Sequence, residues 1–201
     1  MSIKAVFLDL GGVIVEVSWK PVLIEMGYTE AEAQDEIISL VGNWENHHRY
    51  ERGEISELEF FVGLGDLIQK PETKALITAW NKMLIRPLPG VEDIFAKFKG
   101  RIPLMALSNT NLTHVEYMQK NFSFLKMFDH VFTSHELGHR KPEQECYLKA
   151  AAIAQLEPSE ILFIDDNPDN VDAAIRAGYK AELSVNSTSD TIRLIERYLT
   201  L

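Results

Sequence analysis

The segment Val6-Phe7-Leu8-Asp9-Leu10-Gly11-Gly12-Val13-Ile14 constrains this chain more than any other. Ile3 to Leu8 is apolar apart from Lys4, the pattern of a strand buried on both faces, as in a parallel sheet. The run delivers one carboxylate, Asp9, to its end and turns at once on Gly11-Gly12, where something must approach the backbone closely. Ligands of open α/β sheets lie outside the carboxyl ends of the strands, so Asp9 stands where a ligand or a reaction belongs. A strand-end Asp that only caps the next segment accounts for the same residues.

The remainder of the chain supplies the rest of such a sheet. From Trp19 to about Leu84 the sequence reads as helices with short breaks and no strand pattern. Trp19 to Met26 ends at Gly27. Thr29-Glu30-Ala31-Glu32 has the form of a capping box, in which a Thr and a Glu three residues on satisfy free N–H groups at a helix start. Ser56 and Glu59 repeat that form ahead of a helix to Ile68, and Pro71 to Leu84 is the last helix of the block. From Val91 the rhythm is helix, strand, helix, strand: strands over 102–107, 131–133, 161–164 and 180–185, helices between them, and a final helix over 188–199. Pro142 is expected in the first turn of the helix over 142–154, where its missing N–H costs nothing. The alternation implies an α/β fold, a doubly wound parallel sheet with right-handed crossovers.

Composition narrows the partners. The 201 residues, 46% hydrophobic, suffice for a sizeable core. With 20 basic and 30 acidic side chains the formal charge is −10, and no basic patch argues for nucleic acid. An anionic substrate must therefore be caught by local positive charge or a metal. Cys146 is the single cysteine, which excludes an internal disulfide. No apolar run reaches the length of a membrane span, and the first residues enter a strand without a signal-peptide layout. A soluble, cytoplasmic protein is expected.

Four strand ends carry polar clusters: Asp9, Ser108-Asn109-Thr110, Lys141-Pro142 after a loop, and Asp165-Asp166-Asn167. Each alone reads as a cap, a solvated loop or a turn. In a parallel sheet all four face one side, and together they offer three carboxylates, a hydroxyl and an ammonium. That set suits phosphoryl transfer with Mg²⁺, which takes oxygen ligands and commonly one or two carboxylates beside substrate phosphate. Asp9 and Asp166 can supply carboxylates and the Gly11 turn a carbonyl. Asp9 can attack phosphorus, while Ser108 and Lys141 hold phosphate oxygens.

Phe-Leu-Asp-Leu-Gly-Gly-Val, Leu-Ser-Asn-Thr, Arg-Lys-Pro-Glu and Phe-Ile-Asp-Asp-Asn resemble the four ordered motifs of the haloacid dehalogenase (HAD) superfamily. The resemblance implies a HAD-like Rossmannoid core over residues 1–15 and 87–201, with a small all-helical cap, residues 16–86, inserted after the first strand. It implies Asp9 as nucleophile and Mg²⁺ ligand, Gly11 as the carbonyl ligand, and Asp166 as direct metal ligand. Ser108 and Lys141 match the phosphate-binding hydroxyl and lysine, with Asn109, Gly11 and Gly12 beside the substrate. Asp165 matches the neighbouring acid, acting through water or Lys141.

The chain departs from the family pattern at Gly11, where most such phosphatases carry a second Asp as general acid and base. A missing acid–base group removes a factor of about 10²–10⁴ in rate. A better leaving group, a proton from elsewhere, and loss of catalysis in favour of phosphate-ligand binding all remain open. Asp-Leu-Gly-x-Val at residues 9–13 and the segments 51–56, 107–111, 137–143 and 165–170 are similar to a bacterial α-D-glucose-1-phosphate phosphatase branch that also has Gly at that position, which implies a sugar phosphate as substrate. 2-Haloacid dehalogenation shares the Asp nucleophile but has no use for the Asp165-Asp166 pair. In the cap, Asn46-His47-His48-Arg49-Tyr50-Glu51-Arg52 is the densest polar stretch, and His48 is the residue expected to meet substrate, since His titrates near neutrality. Trp19, Trp44 and Trp80 are expected to pack, and His114, His130, His135 and His139 have no metal spacing.

Overall fold

Alternation at period two sorts the first strand between two layers. In the computed structural model, which describes residues 2–70 and 72–199, β1 (Ala5–Leu8) is buried throughout. Its Ala5 and Phe7 face one apolar cluster, Val6 and Leu8 the other. In chain order follow β2 (Val15–Val17), α1 (Lys20–Glu25), α2 (Ala31–Gly42), α3 (Glu45–Glu51), α4 (Glu57–Leu67), α5 (Thr73–Trp80) and β3 (Leu84–Pro87). Then come α6 (Val91–Phe98), β4 (Leu104–Ser108), α7 (Leu112–Asn121), β5 (His130–Thr133), α8 (Ser134–Leu137), α9 (Gln144–Ala154), β6 (Ile161–Asp165), α10 (Pro168–Arg176), β7 (Lys180–Leu183) and α11 (Thr188–Leu199).

Five strands form one parallel sheet in the order β5-β4-β1-β6-β7. One face is covered by α6, α7 and α11 through Val91, Ile94, Phe95, Phe98, Met118 and Ile195. The other is covered by α9 and α10 through Cys146, Tyr147, Ala150, Ala151, Ala173 and Ala174. This is the doubly wound α/β arrangement expected. Because the chain leaves β1 for β4 on one side and returns to β6 on the other, the ends of β1, β4 and β6 lie side by side. No helix among the described residues is long and apolar enough to cross a membrane.

Helices α1 to α5 hold a third apolar cluster of their own, built on Val41, Tyr50, Phe60, Phe61, Leu64, Leu76 and Trp80 with Trp19 and Trp44 against it. Tyr50 stacks on Phe60 at 4.4 Å and Trp19 meets Trp80 edge-on at 5.4 Å. The box at Ser56 forms, with Glu59 N donating to Ser56 Oγ and Ser56 N to Glu59 Oε2.

Several sequence expectations fail locally. The block is not purely helical, because β2 and β3 pair antiparallel at its two ends with Glu16 and Arg86 facing across at 2.7 Å. Such short, charged strands carry no apolar alternation, and their partners are far apart in sequence. No capping box forms at Thr29: Glu30 takes the N-cap position, and the Thr29 hydroxyl turns to the Glu30 carboxylate instead of a backbone N–H. Pro142 lies ahead of α9, whose N-cap position is Glu143, because residues 140–143 first close a turn through Glu143 N and Arg140 O. Pro71, expected to open a helix, lies outside the described residues.

Candidate active site

Each strand end contributes by running out of partners at the sheet edge. Asp9 follows β1 directly, and its Oδ1 accepts from Leu10 N at 2.7 Å. Lys141, almost fully buried, reaches under it from the loop between α8 and α9. Its Nζ lies 2.8 Å from Asp9 Oδ1 and 2.6 Å from Asp165 Oδ2, and it donates to Leu107 O at 3.0 Å. Those three acceptors match the three protons of an ammonium. Burial opposes the charge on Lys141, but the two carboxylates outweigh it and hold its pKa above the usual lysine value.

Asp165 is saturated. Its Oδ1 accepts from Asn167 N and from Asn170 Nδ2, at 2.8 and 3.0 Å, while Oδ2 takes Lys141. It orients the lysine. Asp166 is half-buried and rests against Gly12, whose φ is +70° and whose place a Cβ could not fill without coming within 2.0 Å of Asp166 Oδ2. Burial, more than the neighbouring Asp165, raises the Asp166 carboxyl. At Asp9 burial pushes the carboxyl up to about 7 despite Lys141, with Asp165 and Asp166 adding to the rise.

Asp9, Asp165 and Asp166 present oxygens within 4.8 Å of one another. Three carboxylates around one ammonium leave net negative charge in a nearly dry place, which a divalent cation with hard oxygen ligands would offset. The donor set therefore fits Mg²⁺.

Ser108 ends β4 and is buried, and among the described residues its Oγ makes only a long contact of 3.5 Å to Asn109 O. Asn109 does other work than expected: its Nδ2 donates to Lys141 O and its Oδ1 accepts from Lys141 N, both at 2.7 Å. Both ends of its amide are taken, so the side chain positions the lysine loop.

Above these residues lies a cavity of about 220 Å³, walled by Gly11, Ser108 and Asn109 below and by Trp19, His47, Glu51 and Trp80 of the helical block above. Glu51 is buried and paired through Oε2 with Arg140 Nε at 2.8 Å, and its Oε1 faces His47 Nε2 at 3.8 Å. Next to it, Arg52 reaches Glu143 at 3.2 Å, and Gly53 sits so close to His135 O that a Cβ would stand 2.4 Å from it. Tyr50 donates to Thr113 Oγ1 at 2.5 Å, and Thr113 in turn to Glu57 at 2.6 Å. His48 points elsewhere, donating from Nε2 to Gly42 O at 2.9 Å, and does not wall the cavity. Successive residues of a helix diverge by about 100°, so the two histidines cannot share a face. The signal for His47 was present in the sequence: His47, Tyr50 and Glu51 fall at i, i+3 and i+4, one buried face. His114, given no role from the sequence, also walls the cavity. Its Nε2 donates to Trp80 O at 3.1 Å and its Nδ1 faces Asn111 Nδ2 at 3.5 Å. Burial pushes it down to about 4.

The sequence profile of the haloacid dehalogenase-like hydrolases matches residues 3–178. The chain belongs to that family. Within it, the chain is 27% identical over 192 residues to the D-ribitol-5-phosphate phosphatase of Bacteroides thetaiotaomicron, covering 89% of this chain and 90% of that one. It is 25% identical over 179 residues to the sesquiterpene phosphatase AstK of Aspergillus oryzae, covering 88% and 87%. Among solved structures, a HAD-family enzyme of B. thetaiotaomicron in complex with magnesium and inorganic phosphate superposes with a TM-score of 0.81 at 25% identity, over 94% of this chain and 99% of that one. This HAD-like hydrolase is an enzyme of the phosphatase type.

Proposed function

We propose that the protein is a Mg²⁺-dependent phosphomonoesterase for a small phosphorylated metabolite, a sugar or polyol phosphate, working through an aspartyl-phosphate on Asp9. Residues 16–86 then act as the cap and residues 1–15 with 87–201 as the catalytic core. The observation that carries this is the meeting of Asp9, Lys141, Asp165 and Asp166 at one sheet edge, next to Gly11, Ser108 and Asn109, which wall a cavity too small for a macromolecule. The relatives named for phosphate esters, and the magnesium–phosphate complex of a structural neighbour, support it.

Asp9, Asp166 and the Gly11 carbonyl would hold the Mg²⁺, which supplies positive charge against the phosphoryl oxygens and keeps Asp9 ionised. Asp9 attacks phosphorus with one carboxylate oxygen. Lys141 turns one N–H from Asp9 to the phosphoryl group as charge develops there, while Asp165 keeps its ammonium in place. Ser108 Oγ, without a strong partner, donates to a phosphate oxygen. Water then hydrolyses the aspartyl ester and restores Asp9.

Phosphate release should be assayed over a panel of sugar and polyol phosphates and p-nitrophenyl phosphate, with Mg²⁺ and with EDTA. Turnover that requires Mg²⁺ is expected. Absence of turnover on every ester, or release of chloride from 2-chloropropionate without metal, overturns the assignment.

A further inference from the structure

Gly11 has no side chain to protonate the departing oxygen, and beside Asp9 the core offers Lys141 and Asp165, which are engaged with each other. Of the residues that wall the cavity, three have side chains able to exchange a proton: His47, Glu51 and His114. His114 is committed at both ring nitrogens and held neutral by burial, so it has no proton to give near neutrality. Glu51 is committed through one oxygen to Arg140. His47 is different. Its ring is wedged between Trp19 at 6.4 Å, Trp80 at 5.8 Å and Phe60 at 6.2 Å, which fixes the plane of the imidazole. Its Nε2 stands 3.8 Å from Glu51 Oε1, too far for a direct hydrogen bond and close enough for charge attraction.

From this arrangement we infer that His47 is the general acid and base of the reaction, taking the place of the acid absent at Gly11, and that Glu51, anchored by Arg140, is its positioning residue. The inference rests on the phosphatase assignment above. In the first half-reaction Asp9 forms its bond to phosphorus and the P–O bond to the leaving group breaks. The bonding pair stays on the departing oxygen, which takes the proton of the His47 imidazolium. In the second, the neutral imidazole takes a proton from the attacking water, the Asp9–phosphorus bond breaks, and phosphate leaves with His47 protonated again. The groups that act on His47 are Glu51 and His48 on its own helix, Arg140 from the loop before α9, and His114 from α7. Burial holds His47 below the usual histidine value despite Glu51, and the dianionic phosphate of a bound ester acts with Glu51 to return the proton.

The test uses two size-matched esters, phenyl phosphate and p-nitrophenyl phosphate, whose phenolates differ greatly in basicity. The nitrophenolate leaves without protonation. His47→Gln is expected to lose about 10²-fold in kcat/KM, which reports only the steps up to departure of the leaving group, on phenyl phosphate and less than about 3-fold on p-nitrophenyl phosphate, both with Mg²⁺. Glu51→Gln should show the same selectivity in weaker form and move the pH profile on phenyl phosphate to lower pH. Equal losses of His47→Gln on both esters, or no loss on either, overturn the inference and leave the phosphatase assignment standing. If the wild type releases phosphate from neither ester, the inference falls, and the phosphatase assignment falls with it only when the sugar and polyol phosphates are inert as well. If His47→Gln does not fold, the wild type decides: its profile on phenyl phosphate must carry a limb falling with rising pH that p-nitrophenyl phosphate lacks, and identical profiles overturn it.

Discussion

The floor and the roof of the cavity are built by different means. On the floor, Asp9, Ser108 and Asp165 sit at the ends of β1, β4 and β6, so the parallel sheet itself delivers them to one line. Their neighbours in sequence finish the job: Leu10 N holds Asp9, Asn167 N holds Asp165, and Asn109 holds the Lys141 backbone. On the roof, His47 and Glu51 stand on a seven-residue helix and owe their place to Trp19, Trp80, Phe60 and an ion pair from Arg140 in the opposite half of the chain. A floor built from strand ends serves any ester of the same acid, while a roof built from packing can change with few substitutions. That is the division expected where chemistry is fixed and the leaving group varies.

The largest test of this contrast is Asp9→Asn, which should lower phosphate release by about 10⁴-fold or more with little change in the thermal midpoint, since Lys141 keeps Asp165. Lys141→Met strikes structure as well as chemistry. It removes the ammonium from between two buried carboxylates and should cost about 3–5 kcal/mol by denaturant unfolding. A smaller effect comes from His114, whose folded-state pKa is near 4 against 6.5 when exposed. The unfolded chain binds its proton first, so the stability it allows is complete above pH 6.5 and is lost as the pH falls towards 4, about 3 kcal/mol in all. Asp9 has the opposite sign: its raised value favours the folded state as the pH falls below about 7. The measurement is therefore the difference between wild type and His114→Gln against pH, in which the Asp9 contribution cancels. Smallest is Ser56→Ala, which removes the box at the start of α4 and should cost about 1 kcal/mol by thermal unfolding without altering kcat. A large catalytic defect in Ser56→Ala would mean that the roof is no more tolerant than the floor.

The same contrast decided what the sequence could disclose. Strand-end acids followed by Gly or Asn are local signals, and the parallel order follows from alternation, so the sheet and Asp9, Ser108, Lys141 and the Asp165-Asp166 pair were readable before any coordinates. The β2–β3 ribbon was not, because Glu16 and Arg86 give no apolar alternation and pair only across the whole helical block. Asn109 read as a ligand-facing amide because a backbone clamp on Lys141 leaves no trace in the chain between them. Chemistry alone does not separate His48 from His47; the helical phase does, since Tyr50 and Glu51 share the face of His47.

Gly53 gives this architecture a mechanical gauge. With its backbone laid directly on His135 O and its φ at +70°, no side chain fits between the two halves at that point. Gly53→Ala would act as a one-carbon shim, pushing the helical block off the core at that point at a cost in stability and leaving more room for bulkier esters.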